Sequence, residues 1–270
     1  ITTGEHNIAI GYQALDAEDA HGYNLAIGSF ALTTLDAGAN GNNTAVGYNA
    51  GNAMTTGTAN TLLGHGSGDA TDDGANNTAV GYLSLSANCG DDNTALGAQA
   101  GQALTSVDNT FVGARAGKEC ISNEKNTAIG KGAFENIAHA DGDKNVAVGH
   151  SAMLSGGTAA DNDAAKNVAV GYQSLLAILD GDGNVSIGSE SGQSLTTGAS
   201  NVFIGKEAGD ATTDVDSAVI IGALAGGANM DSGADGTVAV GSSALAALTS
   251  GANNTAIGYQ CGDAMTDSAY

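Results

Sequence analysis

Short aliphatic segments recur along the whole chain, each preceded by an Asn and closed by a Gly. The unit reads Asn, Thr or Val, Ala, an aliphatic residue and Gly, and its Gly is taken here as the anchor of each copy. Fifteen anchors occur, at Gly11, Gly28, Gly47, Gly64, Gly81, Gly97, Gly113, Gly130, Gly149, Gly171, Gly188, Gly205, Gly222, Gly241 and Gly258. Self-similarity at such a period is typical of solenoid proteins. The sequence therefore predicts a single repeat domain over residues 1–270.

The three residues before each anchor alternate as a β-strand does. The residue before the anchor is always Ile, Val or Leu, and the residue three before it is Thr, Val, Ile or Leu. These two positions share one face of a strand. The residue between them is mostly Ala, so the opposite face is small and apolar, which favours a strand buried on both sides. The pattern predicts an all-β fold, a parallel β-solenoid (β-roll) of about fifteen coils of 16–22 residues.

The Asn and Gly of the unit have separate structural interpretations. Asn stands four residues before the anchor in thirteen copies, with Ala218 and Thr237 as the exceptions. Repeated Asn side chains stack into a hydrogen-bonded ladder between coils. The alternative is a ligand-binding role, although a binding site would not need so many copies. The anchor Gly supplies a turn with positive φ or lets the adjacent chain pass close by.

Composition indicates that a single copy of the chain buries little apolar surface. The chain has 42 Gly, no Trp and 4 Phe, so its apolar residues are mainly Ala, Val, Ile and Leu. The Ala side of the strands, represented by Ala45, Ala79, Ala128, Ala147 and Ala169, is too small to form a core and too apolar to face water. We therefore expect this side to contact other copies of the chain in a homotrimer.

Net charge excludes two classes of partner. Lys and Arg total 7 against 29 Asp and Glu, a net charge of −22. Such a chain repels phosphate backbones and anionic membrane surfaces, so nucleic acid is not an expected partner. No stretch approaches the roughly 18 uninterrupted apolar residues of a membrane helix, so no membrane insertion is expected.

Residues with catalytic potential are scattered. The five His residues form no metal or nucleophile motif, and no phosphate-binding loop stands in a usable context, so an enzyme is not predicted and no cofactor is expected. Cys89, Cys120 and Cys261 are isolated, and the sequence favours packed free thiols over a metal or redox role.

Five tyrosines share one position in the repeat. Each directly follows an anchor: Tyr12, Tyr48, Tyr82, Tyr172 and Tyr259. They form either a sugar-binding surface or part of the packing along the rim of the coils. Because they never fall in adjacent coils, the sequence favours rim packing.

Acidic loop residues are the candidate metal ligands. Asp141, Asp143, Asp180 and Asp182 stand eight and six residues before their anchors, in coils that are two apart. Clustered carboxylates bind Ca²⁺, which prefers oxygen ligands. The alternative is a solvated, mutually repelling edge that prevents sideways aggregation, and it is favoured because no complete calcium-loop motif is present.

Three segments carry a resemblance to a known family. Residues 43–51 (Asn-Thr-Ala-Val-Gly-Tyr-Asn-Ala-Gly), 77–82 and 254–260 resemble the repeats of phage tail-fibre proteins and, more distantly, the head repeats of trimeric autotransporter adhesins. The resemblance covers the whole chain. It implies a trimer of left-handed parallel β-rolls that forms a stiff attachment fibre. The coils here are longer than those of the adhesin heads and carry variable insertions.

Three functional classes follow from these observations. The first is a non-enzymatic extracellular fibre on a virion surface, which acts as a structural rod and attaches to a host receptor or glycan. The second is the head of a trimeric adhesin on a bacterial cell surface. The third, an enzyme with a solenoid groove, is disfavoured because such enzymes concentrate carboxylates or His on one face, whereas the strand positions here are apolar or Asn.

Overall fold

The chain forms two compact units, residues 1–126 and 127–270. A computed structural model of the chain describes residues 4–18, 22–137, 142–155 and 162–267. The first unit contains seven described strands: β1 (Ile8–Ile10), β2 (Leu25–Ile27), β3 (Thr44–Val46), β4 (Thr61–Leu63), β5 (Thr78–Val80), β6 (Thr94–Leu96) and β7 (Thr110–Val112). The second contains eight: β8 (Thr127–Ile129), β9 (Val146–Val148), β10 (Val168–Val170), β11 (Val185–Ile187), β12 (Val202–Ile204), β13 (Val219–Ile221), β14 (Val238–Val240) and β15 (Thr255–Ile257).

Strand pairing within each unit is parallel and follows the repeat. In the first unit Ala45 of β3 lies beside Leu62 of β4, and in the second Ala147 of β9 lies beside Ala169 of β10. Equivalent positions of successive repeats are thus aligned, with backbone hydrogen bonds such as that from Gly64 N to Val46 O at 2.9 Å. The chain is a parallel β-solenoid of about 14 turns of about 17 residues, which confirms the predicted fold class.

Helical structure is nearly absent from the part of the chain that the structure describes. It consists there of one 3₁₀ turn, Ser232–Ala234, and no α-helix is found. Among the same residues, no helix has the length and apolar character needed to cross a membrane. The expectation of one repeat domain over residues 1–270 stays a prediction.

The strand centres point into the interior of the coils. In β2 to β15 the central residue is buried, and Ala45, Ala79, Ala128, Ala147 and Ala169 are all 0% exposed within a single chain. The Ala side is therefore the packed core of the solenoid, and the expectation that it contacts another copy is wrong. The reason is that Leu, Met and Phe side chains from the rest of each coil fill the space opposite these small residues.

The anchor Gly combines both of its predicted roles. Gly171 has φ +141°, a conformation that side-chain-bearing residues rarely adopt. A Cβ added there would lie 2.2 Å from the carbonyl oxygen of Gly188 in the next coil. The same close approach recurs at Gly47 and Gly64. The repeated Gly thus permits the spacing of adjacent coils at the end of every strand.

The Asn ladder is present in both units. In the first, Asn43 Oδ1 accepts a hydrogen bond from Asn60 N at 2.9 Å, and Asn60 Oδ1 accepts one from Asn77 N at 2.8 Å. The side-chain amide of Asn60 also donates to Gly74 O at 2.8 Å. These side chains are buried, so the ladder satisfies backbone groups that water does not reach. The predicted role of the repeated Asn is confirmed.

Candidate functional site

The outward side of the sheet is a surface of aliphatic and hydroxyl side chains. The first and third residues of each described strand point away from the core and are half-buried or exposed. Exposure is 57% at Ile10 and 47% at Leu63 in the first unit, and 69% at Ile257 and 42% at Ile129 in the second. None of the fifteen described strands carries a charged residue. A chain with a net charge of −22 thus keeps one face of its sheet uncharged.

Five aromatic side chains form a continuous row in the first unit. We call this row the aromatic ladder, and its members are Tyr12, Phe30, Tyr48, His65 and Tyr82. Successive ring centroids lie 5.4, 5.9, 5.2 and 5.4 Å apart. The first two contacts are edge-to-face, and the last two are stacked or tilted. The row therefore presents one ring per coil across five consecutive coils.

Sequence reasoning missed two members of this ladder. The tyrosines themselves skip coils, as the sequence indicates, but His65 occupies the same repeat position as Tyr48 and Tyr82. Phe30 stands one residue further from its anchor, and its ring reaches the row from there. With Phe30 and His65 between the tyrosines, the row of rings in the first unit is continuous. Comparing all ring-bearing residues rather than tyrosines alone would have found His65.

The ladder carries polar groups without protein partners. The hydroxyls of Tyr12, Tyr48 and Tyr82 accept or donate no hydrogen bond within the described part of the chain. The same holds for the side-chain amides of Gln13 and Asn49, which directly follow Tyr12 and Tyr48. Tyr12, Tyr48 and Tyr82 are 67%, 48% and 52% exposed. These groups are available to an external partner.

The second unit has a shorter aromatic pair. His150 and Tyr172 follow consecutive anchors, and their ring centroids lie 5.8 Å apart. His150 Nδ1 also shares a hydrogen bond of 2.9 Å with Ser151 Oγ. Tyr259 is 74% exposed and belongs to none of the described ring pairs. Aromatic residues of the second unit thus offer a smaller surface than the ladder.

The acidic loops border a depression in the second unit. Asp143, Asp163, Asp180 and Asp182 line it together with Lys144, Ala165 and Lys166, and its volume is about 560 Å³. Asp182 Oδ1 accepts a hydrogen bond from Ala165 N at 2.8 Å, so this carboxylate already binds the backbone of the preceding coil. Asp216 makes the same contact with Ala199 N at 2.7 Å. Carboxylates at this repeat position therefore have a structural role.

The calcium hypothesis stays a prediction. Asp141 lies outside the described residues. Within residues 4–18, 22–137, 142–155 and 162–267, no three His, Cys, Asp or Glu side chains form a group that could hold a metal ion. Lys144 and Lys166 line the same depression as Asp143, Asp180 and Asp182 and place positive charge beside them.

Two aspartates have raised pKa values. Asp69 and Asp210 both stand five residues after their anchors, and in each a buried Oδ1 has no hydrogen-bond partner. Burial raises the pKa of each carboxyl, with His65 opposing the shift at Asp69 and Glu207 adding to it at Asp210. Because the shift recurs at one repeat position in both units, it is a property of the coil rather than of one reactive centre.

The cysteines differ in their surroundings. Cys89 and Cys120 are buried free thiols, as predicted, and burial raises the pKa of Cys89. Thr71 Oγ1 lies 3.3 Å from Cys89 Sγ, and Cys120 Sγ donates to Asn123 Oδ1 at 3.2 Å. Cys261 is exposed, so the expectation of packing fails there.

No protein-family model matches the chain, and no curated protein matches it. The functional interpretation therefore depends on the repeat, the outward face and the aromatic ladder.

Proposed function

We propose that the chain is the rod and host-attachment segment of a non-enzymatic extracellular fibre of the phage tail-fibre type, located on the virion surface and assembled from three copies. The observation that carries the proposal is the uncharged outward face of the sheet, which recurs in every described strand. Exposed apolar patches of this kind mark association surfaces in soluble proteins. A feature that repeats in each coil suits an assembly contact along a fibre.

The outward face replaces the Ala side as the proposed contact between copies. Val80 and Val170 are half-buried within one chain, and their side chains have room for a neighbour. Three copies around an axis would bury this face. A charge placed on the face would be desolvated without a partner in such a contact, at a cost of several kcal/mol.

Light scattering of the purified chain tests the assembly. We expect a particle about three times the 26.2 kDa mass of the chain. The double variant Val80→Asp with Val170→Asp should be monomeric, because it places one unpaired charge on the outward face of each unit. The matched control, Thr56→Asp with Thr197→Asp, adds the same charge at exposed loop positions and should stay trimeric.

A second pair of substitutions keeps the test decisive if the Asp variants do not fold. Val80→Thr with Val170→Thr preserves shape and strand preference while it removes apolar contact, and it should weaken assembly without unfolding the coils. A folded wild-type chain that is monomeric at all accessible concentrations would contradict the proposal. Trimers unaffected by any of these outward-face variants would contradict the assigned contact.

A further inference from the structure

We propose that the aromatic ladder of the first unit, Tyr12, Phe30, Tyr48, His65 and Tyr82, binds an extended, uncharged carbohydrate chain. This inference rests on the proposed attachment function and specifies the surface and the chemical class of the receptor. Carbohydrate rings present flat arrays of C–H groups that pack on aromatic faces, while their hydroxyls hydrogen-bond to polar groups at the edges. Neighbouring rings cover part of each face, and the exposed remainder of Tyr12, Tyr48 and Tyr82 (67%, 48% and 52% of each residue) offers ring surface beside the hydroxyls.

The spacing of the rings favours a repeating ligand. Ring centroids follow one another at 5.2–5.9 Å through five coils, because each ring is carried by one turn of the solenoid. A pyranose residue in an extended chain has a similar length, so consecutive sugars would meet consecutive rings. A strongly curved chain would leave this straight row after one or two residues.

Polar groups along the ladder fit the edges of sugar rings. Three phenol hydroxyls and the amides of Gln13 and Asn49 have no partner within the described residues. Hydroxyls and amides both donate and accept hydrogen bonds, which matches the mixed character of sugar hydroxyls. Such groups, placed beside apolar rings, are the usual composition of a small-molecule recognition surface.

Charge narrows the class of saccharide. The chain carries a net charge of −22, whereas the ladder and its two amide neighbours contain no carboxylate. The field of the whole protein repels polyanions, so acidic polysaccharides are disfavoured. A neutral glycan is not repelled by this field and still makes the ring and hydroxyl contacts.

A second copy of the chain is the competing occupant of the ladder. The outward face recurs in all described strands and suits assembly, whereas the ladder is confined to five coils of the first unit. Contact with another copy would also bury the unpartnered hydroxyls, which costs free energy unless that copy supplies matching groups. A local surface with free polar groups is better explained by a ligand.

Tyrosine fluorescence provides a direct binding assay, because the chain contains no Trp and 7 Tyr. The probes are neutral β-1,4-linked hexasaccharides of glucose, of N-acetylglucosamine and of mannose, titrated into the intact assembled protein. We expect saturable binding of at least one probe. Tyr48→Ala and Tyr82→Ala should each weaken it about tenfold, the equivalent of one ring contact. Tyr259→Ala, at the same repeat position in the second unit, should leave it unchanged.

Light scattering on the same samples separates the possible outcomes. Ladder variants that dissociate the trimer and leave saccharide binding intact would assign the ladder to contact between copies and overturn the proposal. Binding of none of the three probes, or binding insensitive to Tyr48→Ala and Tyr82→Ala, would also overturn it. A monomeric protein that still binds saccharide through the ladder would contradict the proposed fibre assembly and not this site.

Discussion

At the scale of single residues, the buried Asn side chains connect one coil to the next. Asn184 is 0% exposed and makes contacts in both directions along the second unit. Its Oδ1 accepts from Asn201 N at 3.0 Å, and its amide donates to Gly198 O at 2.9 Å and to Asn167 Oδ1 at 3.1 Å. Each Asn thus satisfies backbone groups of two neighbouring coils that would otherwise be buried without partners.

Replacement of Asn184 by Ala should lower the free energy of unfolding by about 1–3 kcal/mol, because Asn201 N and Gly198 O lose their buried partner. Asp182→Ala, in the adjacent loop, is the control. Its carboxylate is exposed and accepts one hydrogen bond from Ala165 N, so we expect a loss of at most about 1 kcal/mol. Chemical denaturation measures both, and equal effects of the two substitutions would contradict the assigned role of the Asn.

The position of the Asn was predictable, but the direction of the strand side chains was not. Alternation along Thr44, Ala45 and Val46 predicts that the outer two residues share one face. It does not say which face is the interior, since both are apolar. The structure places Ala45 inside because Leu32 and Leu62 in the neighbouring coils occupy the remaining interior space. Small size at this position therefore indicates an interior crowded by neighbouring Leu side chains and not a contact with another copy.

At the scale of the coil, large and small residues compensate for one another. The position four residues after the anchor is either Leu-like or Gly, and seven of the eight glycines there lie against a large residue at a strand centre, with Gly262 as the exception. A Cβ on Gly192 or Gly209 would lie 2.8 Å from the ring of Phe203 at the centre of β12. In the first unit, Gly117 stands in the same relation to Phe111 of β7. A large side chain at the strand centre thus occupies the space that a Leu at the neighbouring Gly position would need.

A double-mutant cycle tests this compensation. Phe203→Ala alone should cost about 3–5 kcal/mol through the cavity that it leaves. Gly209→Leu alone should also destabilise, because its Cβ meets the Phe203 ring. Combined, the two should couple favourably by about 1–3 kcal/mol, since the new side chain fills the vacated space. Leu can adopt the positive φ of position 209, as Leu175 and Leu245 do at the equivalent position (φ +49°), and its strain is the same in the single and the double variant.

The matched control combines Phe203→Ala with Gly117→Leu, which meets Phe111 instead. Those two substitutions should be additive within about 0.5 kcal/mol. Equal coupling in both pairs would show that compensation is not local to the coil.

The irregular order of Leu and Gly coils was visible in the sequence, but its cause was not. To explain that order, one must know that Phe203 contacts Gly209 of its own coil and Gly192 of the preceding coil.

At the scale of the whole molecule, charge and apolar surface are separated. The chain has a net charge of −22, yet the outward face of its strands has no charged residue. Carboxylates lie in loops, where Asp182 and Asp216 also hold the backbone of the preceding coil. The proposed assembly through the outward face must therefore overcome repulsion between like-charged copies.

Salt dependence of assembly follows from this separation. Raising NaCl from about 0.01 to about 0.15 M shortens the screening length from about 30 to about 8 Å. We expect the midpoint concentration for assembly, measured by analytical ultracentrifugation, to fall as NaCl rises. MgCl₂ and CaCl₂ at equal concentrations should then lower this midpoint concentration by the same amount. One carboxylate of the acidic depression already binds Ala165 N, and Lys144 and Lys166 stand beside the others. A saturable effect of CaCl₂ alone, removed by Asp180→Asn, would instead establish a calcium site there.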